Sequence, residues 1–202
     1  MPYTLFHETK NLVRETSPFL ILTTSMEIIA GYFLMSSDIL ELLPGLLVLI
    51  PGLMTLRGNI SSSLSQRLGS AVHLGLIPFQ GGLNKDLLTN EELLENVKAT
   101  VILNGTVVFF IATGSFAFCW VLGFKSISLL GLLVIALLVA FISGGIQISV
   151  TIGVAIYAAR NGLDPDNITI PILAAIGDIL TISILLIVVH LVIFVDGYLP
   201  FL

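Results

Sequence analysis

Two acidic residues of this sequence lie inside long apolar segments, where a charged side chain needs a partner. Asp178, in "AAIGDILT", lies about ten residues into the last such segment, with no basic residue within a helical turn, and Glu27 is in "TTSMEIIAGYF" in the first. A carboxylate in hydrocarbon is costly unless it binds a cation, or takes up a proton and bonds to a neighbouring helix. We expect Asp178 to bind a cation, with the protonated acid as the alternative. For Glu27 the two interpretations are equally open.

Further oxygen-bearing side chains occur in or beside the other apolar segments. Asn104 in "VILNG" and Gln147 in "SGGIQIS" carry amide oxygens that can bind a cation, although each could serve only to join two helices. Thr181 lies about one helical turn after Asp178 and adds a hydroxyl. Asp164 precedes a proline, a pattern typical of a helix start, so we interpret it first as a helix cap and only second as an ion ligand.

The kinds of donor atom in the sequence indicate a hard cation. The chain has one cysteine, Cys119, and its three histidines are scattered, so we expect neither a thiolate site nor a histidine cluster. Carboxylate, amide and hydroxyl oxygens suit Mg²⁺, with Ca²⁺, Mn²⁺ or Na⁺ as alternatives. Because Mg²⁺ keeps much of its hydration shell, we expect a water-filled space with few carboxylates.

The composition places these residues in a membrane. The 202 residues are 56% apolar and only 10% charged, with a mean hydropathy of +1.06, which excludes an ordinary soluble surface. The net charge of −5 without a basic cluster argues against nucleic acid. Since a crossing needs about 20 apolar residues, the pattern predicts spans at 17–38, 42–76, 97–122, 128–159 and 168–195.

The distribution of basic residues predicts the orientation of these spans. Most lysines and arginines lie before the first span, around the connection between the second and third spans, or after the fourth span, so the amino terminus is expected in the cytoplasm and "DGYLPFL" outside the cell. We expect one integral membrane domain over residues 1–202, with a short cytoplasmic segment 1–16, the spans within 17–195 and an external tail 196–202.

The second span carries helix-breaking residues. Pro44-Gly45, Pro51-Gly52 and Gly58-Asn59 predict interruptions, which persist in a membrane only where protein or water satisfies the freed backbone groups. The predicted fold class is therefore an all-α, polytopic membrane protein with five transmembrane helices, the second broken by proline and glycine. Such breaks are where transport proteins expose backbone oxygens to ions, although prolines also occur as simple kinks in membrane helices.

Two stretches carry a resemblance to a known family. "IPGLMTLRGNISSSLSQRLGSAVHLG" in the second span and "RNGLDPDNITIPILAAIGDILT" leading into the fifth resemble the membrane domain of the MgtE-type magnesium channels and the related solute-carrier magnesium transporters. The resemblance implies a pore between two membrane domains, formed chiefly by the second and fifth spans. It also implies that Asp178 holds a hydrated Mg²⁺, with contributions from the backbone carbonyl of Ala174 and from Gly58 and Asn59.

The resemblance has consequences for assembly and regulation. A single copy of the domain implies a homodimer, and the short segment before the first span implies that this chain lacks the large cytoplasmic Mg²⁺-sensing region of bacterial members. We expect transport of Mg²⁺ or another hard divalent cation, with membrane lipid around the dimer and no cofactor. A passive channel and a carrier coupled to Na⁺ or protons both remain open, as do import and export.

Three other functional classes compete with cation transport. An intramembrane aspartyl protease would need a second aspartate in a suitable motif, which the sequence lacks, so no enzyme is expected. A membrane scaffold without transport activity would leave Asp178 without a role. A transporter of an anion or organic solute needs a deep basic residue, and Arg57 is the candidate.

Overall fold

The computed structural model describes residues 2–37, 45–77, 85–124, 126–161 and 165–196. Within these residues the regular secondary structure is entirely helical. The helices are α1 (Pro2–Met35), α2 (Leu46–His73), α3 (Lys85–Leu88), α4 (Glu91–Leu122), α5 (Leu129–Arg160) and α6 (Pro165–Asp196). The predicted all-α class is confirmed for the described part of the chain.

Three of the described helical segments are long and apolar enough to cross a membrane, namely Glu91–Leu122, Leu129–Ala158 and Ile176–Phe194. They correspond to the third, fourth and fifth predicted spans. The first predicted span coincides with a shorter apolar stretch of α1, Leu20–Met35. The second coincides with α2, where serines and arginines interrupt the apolar residues.

Helix α2 corrects the prediction of a broken second span. Its backbone is helical from Leu46 to His73, straight through Pro51-Gly52 and Gly58-Asn59. A proline removes only its own amide from the ladder of hydrogen bonds, here the one that would bind the carbonyl of Leu47. The neighbouring bonds are enough to keep the helix continuous. Pro44 lies outside the described residues.

Local signals fix several helix ends. The Asn90 side chain accepts a hydrogen bond of 3.0 Å from the amide of Leu93 at the start of α4, as expected of an amino-terminal cap. At the other end of α4, Gly123 adopts the left-handed conformation with φ of 71°, which favours glycine. Helix α6 begins at Pro165, in agreement with the predicted start signal.

The helices pack around α6 and α2. Helix α6 contacts α1, α2 and α5, while α4 contacts α2 and α5, and α2 also contacts α5. Two separate groups of buried apolar residues result. The first apolar cluster lies where α2 and α5 begin and α6 ends, and includes Leu49, Leu53, Leu132, Val139, Leu185 and Val189. The second apolar cluster lies where α2 and α5 end, and includes Leu64, Leu68, Leu93, Ile148 and Ile156.

Candidate functional site

Buried polar residues from four helices lie mostly between the two apolar clusters. On α2, α4 and α5 most of them lie between the residues of the first cluster and those of the second, whereas Ser65 and Thr151 lie among residues of the second cluster. One more, Thr181, lies in the middle of α6. We call this group the polar layer: Arg57, Ser61, Ser65, Thr100, Asn104, Ser143, Gln147, Thr151 and Thr181. In a membrane protein, buried polar residues are costly and mark functional sites or joints between helices.

Asp178 lies at the edge of the polar layer and is half-buried on α6. Two charged residues from other helices act on its carboxylate. Arg57 of α2 attracts it and Glu27 of α1 repels it. The structure therefore places the two acids singled out from the sequence on two contacting helices, α1 and α6, and it adds a buried arginine that is only 5% exposed.

The close approach of α6 to α2 and α5 depends on Gly177. A Cβ atom at this position would lie 3.1 Å from Nε2 of Gln147 and 3.2 Å from Cγ of Arg57. Both separations are shorter than ordinary van der Waals contacts. The absence of a side chain at Gly177 thus allows Arg57 and Gln147 to pack against the backbone of α6, one residue before Asp178.

Gln147 joins α5 to α6. Its Nε2 donates a hydrogen bond of 2.8 Å to the carbonyl of Leu173, and the residue is only 2% exposed. Its Oε1 has no hydrogen-bond partner, and neither do Nη1 of Arg57 and Oγ of Ser61. These three residues line one cavity with about 10 Å³ of room for the centre of a water-sized sphere, close to what one water molecule needs.

Asn104 joins α4 to α5 in the same layer. Its Nδ2 donates a hydrogen bond of 3.0 Å to the carbonyl of Ala140, and a Cβ at Gly144 would lie 2.7 Å from this nitrogen. The bond and the close contact favour the interpretation of Asn104 as a joint between helices. Asn104 also lines the small cavity that Arg57 and Gln147 line.

Gly58 and Asn59 lie on a different side of α2. Both are exposed, and Asn59 lines an open groove of about 480 Å³ between α2 and α4 with Leu103 and Val107. Since Asn59 follows Arg57 by two residues, the two side chains point about 200° apart around the helix. Within one chain, Asn59 and Asp178 therefore do not share one site.

The remaining predicted site residues occupy varied positions. Thr181 is buried, and its hydroxyl donates a hydrogen bond of 2.6 Å to the carbonyl of Gly177. Ala174 is part of α6. Asp164 lies outside the described residues. Across the part of the chain that the structure describes, no group of three or more His, Cys, Asp and Glu residues could hold a metal ion.

Arg57 is the residue of this site that the sequence alone did not connect with Asp178. The sequence marked it only as a deep basic residue for an anion or solute transporter. An arginine in the middle of a helix without a nearby acid on that helix is a signal that the partner lies on another helix. The sequence does not say which helix.

Comparisons with known proteins identify the family of this chain. The family model "Divalent cation transporter", MgtE, matches residues 50–188. Solute carrier family 41 member 2 of Gallus gallus is 29% identical over 154 residues, covering 73% of this chain and 25% of the relative. The corresponding protein of Mus musculus is 32% identical, covering 68% of this chain and 23% of the relative. Solute carrier family 41 member 3 of Mus musculus is also 32% identical, covering 69% of this chain and 28% of the relative.

The chain thus spans about a quarter of the length of these relatives. No solved structure matches it. The family match covers most of the chain, including the motif of α2 around Gly58 and the segment of α6 around Asp178. The chain belongs to the MgtE family of divalent cation transporters.

Proposed function

We propose that this protein carries Mg²⁺ across the cytoplasmic membrane, along a path between two copies that is lined by α2 and α6, with Asp178 as the principal acidic group. One observation carries the proposal. In a member of a divalent cation transporter family, Asp178 is a half-buried carboxylate in the middle of an apolar helix, beside a layer of buried polar groups. A carboxylate in that position is costly and marks a functional site by default.

The donor atoms support Mg²⁺ as the cargo. Glu27 and Asp178 offer carboxylates, while Asn59 and the backbone carbonyl of Ala174 offer neutral oxygens. Few carboxylates among neutral oxygens suit an ion that keeps several waters.

The exposed polar groups support a homodimer. Glu27, Gly58 and Asn59 are all exposed in one copy, although they lie in helices proposed to be within the bilayer. Lipid tails cannot satisfy a carboxylate or an amide, so such groups face protein or water in a membrane. A second copy would cover them and bring its own Asn59 toward the path.

The membrane topology belongs to the same proposal. We place α1 and α2 as the first two spans and α4, α5 and α6 as the last three, in a single membrane domain. The amino terminus is cytoplasmic and the carboxyl terminus external, in line with the concentration of basic residues at the cytoplasmic loops.

Mg²⁺ flux into liposomes tests the proposal. The purified protein is reconstituted, and entry of Mg²⁺ is followed with an internal dye, with and without a Na⁺ or pH gradient. We expect Asp178→Ala to abolish flux while the dimer persists in size-exclusion chromatography, whereas Glu91→Gln, an exposed acid in the first turn of α4, leaves flux unchanged.

The outcomes separate the alternatives. Flux that needs no second gradient identifies a channel or uniporter, and flux that needs one identifies a coupled carrier. Unchanged flux in Asp178→Ala contradicts the assignment of the site. Folded protein that carries no Mg²⁺ under any condition contradicts the function and leaves transport of another substrate or a scaffold role.

A further inference from the structure

We propose that Arg57 is a tethered counter-ion of Asp178, and that the transported cation competes with the Arg57 guanidinium for this carboxylate. The inference rests on the proposed function and deepens it, because it makes Arg57 the residue that sets how tightly the cation binds and how readily it is released. No part of the family resemblance described above assigns a role to Arg57.

The first support is the position of the arginine. Arg57 is only 5% exposed, and its stem packs against α6 at Gly177, where a Cβ would lie 3.2 Å from Arg57 Cγ. Gly177 directly precedes Asp178. The stem of Arg57 therefore packs beside the residue that precedes Asp178, and the charges of Arg57 and Asp178 attract each other.

The second support is that part of the guanidinium lacks a hydrogen-bond partner on the protein. Its Nη1 has no hydrogen-bond partner, although a buried arginine held for stability would normally use its planar fork on a carboxylate. Arg67 on the same helix provides the contrast, since it donates to the Thr100 hydroxyl at 3.0 Å and to the Ser63 carbonyl at 3.2 Å. A loosely held cation beside a carboxylate can give way to another cation.

The third support is the balance of charge. Arg57, Asp178 and Glu27 together carry one net negative charge when all are ionised. Two copies facing one path would carry two, which a single divalent ion neutralises and a monovalent ion does not. Without Arg57 the path would hold more negative charge than one Mg²⁺ carries, and the ion would bind more tightly and leave more slowly. A conducting site must be weak enough to release its ion.

The test uses the Mg²⁺ concentration at half-maximal flux, K½, measured with the full chain in liposomes. We expect Arg57→Gln to lower K½ by about tenfold, since a unit of positive charge is lost next to the site, and to lower the maximal flux. Arg57→Lys keeps the charge and is expected to hold K½ within about threefold of the wild type. Arg67→Gln, the matched control on α2, leaves K½ unchanged.

A second variant carries the opposite sign and lies on another helix. Glu27→Gln removes a negative charge and is expected to raise K½ severalfold. Because Glu27 is exposed in one copy, this variant tests the charge balance even if Arg57→Gln does not fold.

Each outcome decides the proposal. Opposite shifts of K½ in Arg57→Gln and Glu27→Gln support it. An unchanged or raised K½ in folded Arg57→Gln overturns the proposal, and so does an unchanged K½ in Glu27→Gln. In both cases Mg²⁺ flux through the wild type still upholds the proposed function. If the wild type carries no Mg²⁺, the proposed function is overturned, and the proposed competition between Arg57 and the cation is overturned as well.

Discussion

The first apolar cluster and the polar layer are built largely from the same helices. The side chains of the cluster are closely packed, whereas several polar atoms of the layer lack hydrogen-bond partners. In the first apolar cluster, Leu49, Leu132 and Val139 are completely buried, so each gains close packing on all sides. In the polar layer, Arg57, Ser61 and Gln147 are equally hidden but keep polar atoms without partners. A fold selected only for stability would satisfy or remove such atoms.

Under the proposed function, this difference separates residues that stabilise the fold from residues that would act in transport. Lipid tails are as apolar as leucine, so membrane helices associate through packing and hydrogen bonds and not through the hydrophobic effect. The apolar cluster supplies the packing. The polar layer supplies only some hydrogen bonds between helices, and it contains polar groups that packing does not require. Substitutions in the two regions should therefore separate stability from transport.

The largest expected effect on stability comes from the apolar cluster. Leu49→Ala leaves a cavity at a completely buried position and is expected to lower the free energy of unfolding by about 2–5 kcal/mol, with K½ of the folded fraction unchanged. The loss is measured by unfolding in mixed detergent. Leu47→Ala, on the same helix but 58% exposed, is the control, and a similar loss there would contradict the assignment of the cluster.

An intermediate effect is expected where helices meet closely. Gly177→Ala places a methyl group about 3 Å from Gln147 and Arg57, and such overpacking typically costs about 1–3 kcal/mol. Flux should fall as well, because both side chains are displaced. Gly153→Ala adds a methyl with no atom within 4 Å and should be silent. Equal behaviour of the two variants would show that α6 can move aside freely.

A smaller loss of stability with a larger loss of transport is expected in the polar layer. Gln147→Leu keeps a similar volume but removes the bond to the Leu173 carbonyl, at a cost of about 1 kcal/mol. Flux should fall by about tenfold, as is typical when a group that supports an ion site is lost. Gln66→Leu, at an exposed position of α2, is the control. Full activity of Gln147→Leu would reduce the residue to a joint between helices.

The smallest effect on transport is expected outside both regions. Asn90→Ala removes the amino-terminal cap of α4 and the bond of 3.0 Å from Asn90 Nδ2 to the Leu76 carbonyl. We expect about 1 kcal/mol lower stability and unchanged flux. A flux defect in this variant would mean that the connection between α2 and α4 takes part in transport.

Much of the fold was predictable because its signals are local. Long apolar segments indicated the helices that became α4, α5 and α6, and the proline at position 165 marked the start of α6. The predicted break in α2 was wrong because Pro51 is also a local signal, and sequence does not show that the remaining hydrogen bonds keep the helix continuous.

The site was predictable only in part, because its contacts join distant parts of the chain. Asp178 stood out as an acid among apolar residues. Its relation to Arg57 depends on how α2 packs against α6, with Gly177 setting the distance. The positions of Asn104 and Gln147 in one layer depend on packing in the same way. The spacing of residues within one helix does not show which side chains of different helices meet.

The buried arginine of α2 also bears on how the protein is made. Among the described helices, α2 is not one of those long and apolar enough to cross a membrane by composition. An arginine at the centre of a helix adds about 2.5–3.5 kcal/mol to the cost of insertion. In the proposed topology the partners of α2 on α4, α5 and α6 are synthesised after it, so we expect α2 to be held stably in the bilayer only once those helices are present.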